Sequence, residues 1–165
     1  MISLTNEIII PQVAEKIKAG YTVTLPLRGY SMRPYLEDGR DKALLAAVDT
    51  DLQIGDVILA EISERRWALH RITAIDGDNI TMCGDGNFTS EHIKRADVIA
   101  IAKGFYRKGR DILEETSTIS YAIYWKTWLF LRPIRRYLLF AWKLWKYPIQ
   151  TLKHLKDKIL NDKAK

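Results

Sequence analysis

The strongest constraint on the fold is a change of pattern between Tyr21 and Tyr106. In this stretch the chain consists of short runs rich in Val, Ile and Leu, and each run is bounded by turn-forming residues such as Gly, Asp and Asn. Runs of this length and composition are typical of β-strands. The runs cover residues 22–27, 43–48, 57–62, 67–75, 80–83 and 98–105. The sequence therefore predicts a mainly β core.

A short helix is predicted before this core. Ile9, Val13 and Ile17 recur four residues apart, and Gly20 is a natural helix stop, so we expect a helix from residue 5 or 6 to residue 19.

A helical pattern also follows the core, from about residue 114 to residue 147, with a kink at Pro133 and a second helix over 148–162. We therefore expect a core over 1–110 and a helical appendage over 111–165.

The positive charge of the chain is confined to the appendage. The net charge is +6, yet residues 1–110 carry 15 Lys and Arg against 15 Asp and Glu. Residues 111–165 carry 11 basic and 5 acidic residues, together with four of the five tryptophans. The two regions therefore differ in their physical chemistry, and an anionic partner is expected only for the second.

The chain has none of the patterns expected of a secreted or membrane-spanning protein. Its single cysteine, Cys83, cannot form an intramolecular disulfide. Its first 25 residues lack the apolar segment and cleavage site of a signal peptide. No window reaches the roughly 18 uncharged apolar residues of a spanning helix, because Lys and Arg interrupt the apolar stretch of the tail. We expect a cytoplasmic protein.

Four short motifs carry the chemistry. They are Gly-Tyr-Ser-Met-Arg-Pro at 29–34, Gly-Asp-Val at 55–57, Leu-His-Arg-Ile at 69–72 and Gly-Asp-Gly-Asn at 84–87. Each motif alone is weak, because a loop serine beside Gly and Pro is usually part of a turn and a lone strand histidine is usually structural. Their presence together and in this order is the informative observation.

The four motifs resemble those of the signal peptidase I superfamily of serine peptidases, which also includes the LexA-type self-cleaving repressors. The Leu-His-Arg-Ile segment is similar to the branch that uses histidine as its base, as in endoplasmic-reticulum and archaeal signal peptidases. The resemblance covers roughly residues 29–104 and implies a LexA/signal-peptidase-like β core. It implies that Ser31 is the nucleophile, that His70 is the general base and that Asp85 orients His70. Glu91 stands where the branch often carries a second acidic residue.

The same residues suit this chemistry without the resemblance. A serine hydroxyl needs an adjacent base, and an imidazole with an ordinary pKa of about 6.5 can accept and return a proton near neutral pH. The turn at residues 76–79 predicts a hairpin, and symmetric pairing across it sets His70 opposite Asp85. The carboxylate would then lie beside the base.

Two further residues are expected around the nucleophile. Gly29 permits close backbone approach, and the main-chain N–H of Ser31 is the expected donor to the oxyanion. Met32 is expected to pack beneath Ser31 or to line the substrate groove. The histidines and the cysteine lack metal-ligand spacing, so neither a metal nor another cofactor is expected.

The tail interleaves aromatic and basic residues, a combination that favours the headgroup region of an anionic membrane. The residues proposed for this contact are Trp125, Trp128, Arg132, Arg135, Arg136, Trp142, Lys143 and Trp145. The alternatives are a helix that packs its aromatic face on the β core and, less favoured, a nucleic-acid site. A protein on the inner face of the membrane fits the first.

Three functions remain open from the sequence. The first is a serine endopeptidase that cleaves a peptide or precursor protein, such as a leader or signal-like segment. The second is a self-cleaving LexA-like regulator, for which Ala19–Gly20 is a candidate bond. The third is a non-catalytic module that binds peptides or a membrane surface.

Overall fold

The computed structural model describes residues 6–142. Two helices flank eight strands, and one turn of 3-10 helix over Arg95–Asp97 precedes the seventh strand. The helices are α1 (Asn6–Lys18) and α2 (Ile119–Phe130). The strands are β1 (Val23–Pro26), β2 (Lys42–Ala46), β3 (Val57–Ser63), β4 (Arg66–Asp76), β5 (Asn79–Cys83), β6 (Glu91–Lys94), β7 (Val98–Tyr106) and β8 (Leu113–Glu115). Residues 135–142 are again helical.

All eight strands belong to one sheet. Its order is β1-β2-β7-β3-β4-β5-β6, and β8 pairs with the last residues of β7. Every pairing is antiparallel. This arrangement confirms the predicted mainly β class.

The predicted elements match the observed ones within a few residues, with three differences. Strands β6 and β8 are not predicted from the sequence, because their residues, Glu-His-Ile-Lys and Leu-Glu-Glu, are mostly polar and form no run of Val, Ile and Leu. Helix α2 begins at Ile119 rather than near residue 114, because β8 takes up residues 113–115. The helical pattern is interrupted after Phe130, ahead of the expected kink at Pro133. The predicted helix over 148–162 lies outside the described residues.

The first compact unit ends at Leu129, and the second begins at Phe130. The division lies well beyond the predicted position near residue 110, because β8 pairs with β7 and α2 packs on the sheet. Among residues 6–142, no helix combines the length and the apolar character needed to cross a bilayer.

Apolar side chains are buried on both faces of the sheet. On β3, Val57 and Leu59 join a cluster that includes α1, while Ile58 and Ala60 join a second cluster with β5 and β6. Four consecutive buried residues on one strand mean that both of its faces are covered. Strand β3 and its neighbour β4 therefore lie in the interior of the sheet.

A buried carboxylate fixes the segment that enters β2. Asp41 is 1% exposed and accepts hydrogen bonds from the side chain of Arg40 and from the main-chain N–H groups of Glu37 and Lys108. Burial alone would raise the pKa of Asp41, but these hydrogen bonds outweigh it and hold the pKa below its usual range.

Helix α1 ends in a hydrogen-bonded turn. Gly20 has a φ of +85°, and its N–H and that of Tyr21 donate to the carbonyls of Ile17 and Lys16. This is a left-handed helix cap, for which glycine is favoured. The Ala19–Gly20 bond therefore lies in a closed turn, and self-cleavage there would require this turn to open.

Candidate active site

Ser31 lies in the loop that follows β1, next to the buried side chain of Met32. Gly29 precedes it with a φ of +89° and donates its N–H to the carboxylate of Asp38 over 2.8 Å. A Cβ at Gly29 would meet no atom within 4 Å, so the backbone angle is the reason for glycine here. Met32 is 6% exposed and packs in the core. Ser31 is partly exposed.

His70 lies on β4, in the middle of the sheet. Its side chain is buried, and its Nδ1 lies 2.9 Å from Oε2 of Glu91, the first residue of β6. An ionised carboxylate only accepts hydrogen bonds, so this contact assigns the proton to Nδ1. The lone pair of Nε2 is then left to accept a proton.

Gly84 brings His70 and Ser31 together. A Cβ at this position would lie 2.4 Å from the carbonyl oxygen of Ser31 and 3.0 Å from Nε2 of His70. The main chain of Ser31 and the basic nitrogen of His70 therefore lie within 3.0 Å of one point. Two residues later, the N–H of Gly86 donates to the same carbonyl of Ser31 over 2.7 Å. The turn over residues 84–87 thus packs directly against the serine loop.

The predicted pairing of His70 with Asp85 needs a correction. The hairpin is symmetric at its tip, but Thr73 is an extra residue in β4, and from there Ile72 pairs with Met82. This β-bulge shifts the register by one residue, so that Gly84 rather than Asp85 continues opposite His70.

The shift places Asp85 on the face of the sheet that carries Arg71. Both carboxylate oxygens accept from that guanidinium, with distances of 2.9 Å from Nε and 2.7 Å from Nη2. Asp85 is 1% and Arg71 0% exposed. Asp85 therefore orients Arg71, and the carboxylate that contacts His70 is that of Glu91.

Helix α2 closes over this buried ion pair. The hydroxyl of Tyr124 donates to Oδ2 of Asp85 over 2.9 Å, and Nε1 of Trp128 donates to the main-chain carbonyl of Asp85 over 3.0 Å. Nη1 of Arg71 donates to the hydroxyl of Tyr121 and to the carbonyl of Gly55. The aromatic side chains of α2 thus supply the remaining partners of the pair.

The surroundings of Arg71 and Tyr124 shift the pKa values of both side chains in the direction that favours these hydrogen bonds. Burial alone would lower the pKa of Arg71, but the hydrogen bonds to Asp85 outweigh it and raise the pKa above its ordinary value. Burial and the charge of Asp85 raise the pKa of Tyr124. The guanidinium therefore stays charged, and the Tyr124 hydroxyl keeps its proton and donates it.

Three of the residues expected at a membrane surface are instead buried or packed against other parts of the protein. Trp128 is buried, and Trp125 packs so closely on Gly55 that a Cβ there would lie 2.7 Å from the indole. Arg135 is buried as well. For α2, the structure thus agrees with the alternative of a helix that packs its aromatic face on the core. Lys143 and Trp145 lie outside the described residues.

The arrangement contains a histidine held by a carboxylate, a serine main chain near its other nitrogen, and the turn over residues 84–87 between them. Within the described part of the chain, no group of three or more His, Cys, Asp or Glu could hold a metal ion. The sequence motifs contain Ser31 and His70, and the resemblance alone points to Glu91; neither the motifs nor the resemblance points to Tyr124 or Trp128. The only sequence signal for these two is the three-to-four-residue spacing of aromatic residues along α2.

Comparison of the chain with models of known protein families gives no match, and comparison with curated proteins gives none.

Proposed function

We propose that the protein is a serine endopeptidase with a LexA/signal-peptidase-like core, in which Ser31 is the nucleophile, His70 the general base and Glu91 the group that orients the base. The observation that carries this proposal is what lies on each side of the His70 ring. Nδ1 is 2.9 Å from Glu91, and Nε2 faces the point at Gly84 that also adjoins Ser31.

The proposed mechanism gives each of these residues one role. Ser31 Oγ attacks the scissile carbonyl while His70 Nε2 takes the hydroxyl proton. Glu91 stabilises the imidazolium that forms, and the main-chain N–H of Ser31 donates to the oxyanion. His70 then returns the proton to the leaving amine. Water, activated by the same histidine, hydrolyses the acyl-enzyme.

The substrate is proposed to be an extended peptide, such as the leader or signal-like segment of a precursor. Within residues 6–142, β1 is an edge strand that pairs with β2 alone, and it runs directly into the serine loop. An edge strand has unpaired main-chain N–H and C=O groups along one side and can bind a peptide as an added strand.

A cleavage experiment tests the proposal. The purified protein is incubated with a library of precursor-like peptides, and the products are identified by mass spectrometry. We expect Ser31→Ala and His70→Ala to reduce cleavage by about 10³-fold or more, since each removes one member of the catalytic group. Ser63→Ala is the matched control, because Ser63 is exposed and remote from the serine loop in sequence.

Two outcomes would contradict the proposal. Cleavage that persists in Ser31→Ala would exclude this serine as the nucleophile. Peptide binding that survives in His70→Ala, without any serine-dependent product, would favour a non-catalytic peptide-binding module. The intact mass of the wild-type protein after incubation tests self-cleavage at Ala19–Gly20 separately.

We further propose that the second unit contacts an anionic membrane surface on the inner face of the membrane. Phe130, Tyr137 and Phe140 are 82%, 68% and 63% exposed, and exposed Arg132 and Arg136 lie among them. Aromatic and basic side chains together match the interface of a bilayer that contains anionic lipids.

Co-sedimentation with vesicles tests this contact. We expect the protein to bind phosphatidylglycerol-containing vesicles. The double variant Tyr137→Ser/Phe140→Ser should bind about tenfold more weakly, because it lacks two aromatic rings that would be buried in the bilayer interface. Tyr21→Ser is the control, since Tyr21 is 67% exposed but lies in the first unit. Equal binding to neutral vesicles, or an unchanged double variant, would contradict the proposal.

A further inference from the structure

Helix α2 contacts Asp85, which lies in the turn between the serine loop and His70. Asp85 lies in the turn over residues 84–87, and α2 holds it at two points. The Tyr124 hydroxyl binds its carboxylate, and the Trp128 indole binds its main-chain carbonyl, over 2.9 and 3.0 Å. Side chains four residues apart lie on the same face of a helix, so the two donors act as one clamp.

The neighbours of Asp85 form one wall of the site. Gly84 lies between the carbonyl of Ser31 and the Nε2 of His70, and the N–H of Gly86 donates to that same carbonyl. These contacts leave no free space, because a Cβ at Gly86 would lie 2.8 Å from the carbonyl oxygen of Tyr30. Any displacement of Asp85 therefore moves two glycines that both touch the serine loop.

The aromatic rings make the clamp rigid. The ring of Tyr124 stacks on Tyr35 with centroids 4.3 Å apart and on Trp128 with centroids 6.3 Å apart. Tyr35 belongs to the core cluster, four residues after Ser31. The Tyr124 ring thus contacts the segment that follows the serine, while its hydroxyl holds the opposite turn.

We propose that Tyr124 and Trp128 are positioning residues that set the distance between Ser31 and His70 through Asp85, so that the site is competent only when α2 is docked. This inference rests on the proposed peptidase function. It assigns to a helix outside the sheet, and outside all four sequence motifs, a role in the reaction. Tyr124 and Trp128 act without touching the reacting atoms.

Three conservative variants test the inference. Tyr124→Phe removes the hydroxyl but keeps the stacked ring, and Trp128→Phe removes the indole N–H. Trp125→Phe is the matched control, because it changes a tryptophan on the same helix whose ring packs on Gly55. We expect Tyr124→Phe and Trp128→Phe each to lower kcat about tenfold with little change in KM, because they alter the geometry of the site and leave the edge strand intact. Trp125→Phe should affect stability alone.

A second readout does not depend on catalysis. The amide of Gly86, which donates to Ser31, is followed by NMR in each variant through its chemical shift and its hydrogen exchange. We expect faster exchange at this amide in Tyr124→Phe and Trp128→Phe, and no change in Trp125→Phe. If the wild type cleaves no peptide, the function fails, but this readout still decides the positioning role.

Two results would overturn the inference. One is an unchanged Gly86 amide in both clamp variants. The other is a kcat within twofold of wild type in both variants of an active enzyme.

Discussion

Gly84 offers the sharpest test of the site, because a larger residue is excluded there only by the lack of room for a side chain. Its φ lies outside the left-handed region, so alanine would bring no backbone strain of that kind. The added Cβ, however, would lie 2.4 Å from a main-chain oxygen of Ser31 and 3.0 Å from His70. A main-chain atom cannot rotate away as a side chain can, so the serine loop must move relative to the turn that carries Gly84.

The expected size of the effect follows from this clash. Relief of the contact requires a shift of roughly 1 Å, which lies in the range where misplacement lowers a rate about 10²-fold. Overpacking of a buried site costs about 1–3 kcal/mol. For a chain of this size, that loss lowers Tm by about 3–10 °C. Gly84→Ala should therefore remain folded at 25 °C but lose about 99% of its kcat.

Peptide cleavage and thermal unfolding are measured in parallel for Gly84→Ala and for Gly77→Ala. Gly77 has a φ of +56°, and a Cβ added there would meet no atom within 4 Å, so alanine costs about 1–2 kcal/mol through backbone strain alone. The control thus matches the stability loss without moving the serine loop. A Gly84→Ala enzyme with a kcat within twofold of wild type would refute the geometry that we assign to the site.

Three other substitutions have distinct expected outcomes. Glu91→Gln should lower kcat about 10- to 100-fold with little loss of stability, since it removes the charge that stabilises protonated His70; a pH–rate profile and thermal unfolding check this. Asp85→Asn should instead destabilise the fold by about 3–5 kcal/mol, because Arg71 stays buried and charged; urea unfolding measures it. Asp41→Asn should be less stable than wild type at pH 7, and the difference should shrink below about pH 4, as a depressed carboxyl pKa stabilises the fold only while the group is ionised. Urea unfolding at pH 7, 5 and 3 shows whether the difference shrinks.

Much of the core is predictable because its signals are local. Each of the six predicted strands is a run of β-branched and aliphatic residues between turn residues, and each is a strand in the structure. The turn at residues 76–79 has the Asp-Gly and Asn residues that hairpin tips favour, and Asp76 does pair with Asn79. Residue type and spacing are sufficient for such elements.

The choice between two carboxylates is not predictable, because it depends on a single unpaired residue. Thr73 has no sequence feature that marks a bulge, yet it decides whether Asp85 faces His70 or Arg71. Strand β6, which carries Glu91, has a single aliphatic residue and so lacks the pattern of a strand. The contacts of Tyr124 and Trp128 with Asp85 span 39 and 43 residues, and no local rule reaches that far.

The bulge makes the two arms of the hairpin unequal in their tolerance of length change. Thr73 is the extra residue, so its deletion would leave Ile72 paired with Met82. His70 would then stay on the same face of the sheet as Glu91. Deletion of Thr81 from the opposite arm, with the bulge at Thr73 retained, would place Asp85 opposite His70 and leave Arg71 without its acid. The number of residues in β5 therefore decides which side chain Asp85 faces, whereas β4 carries one residue that length variation can remove.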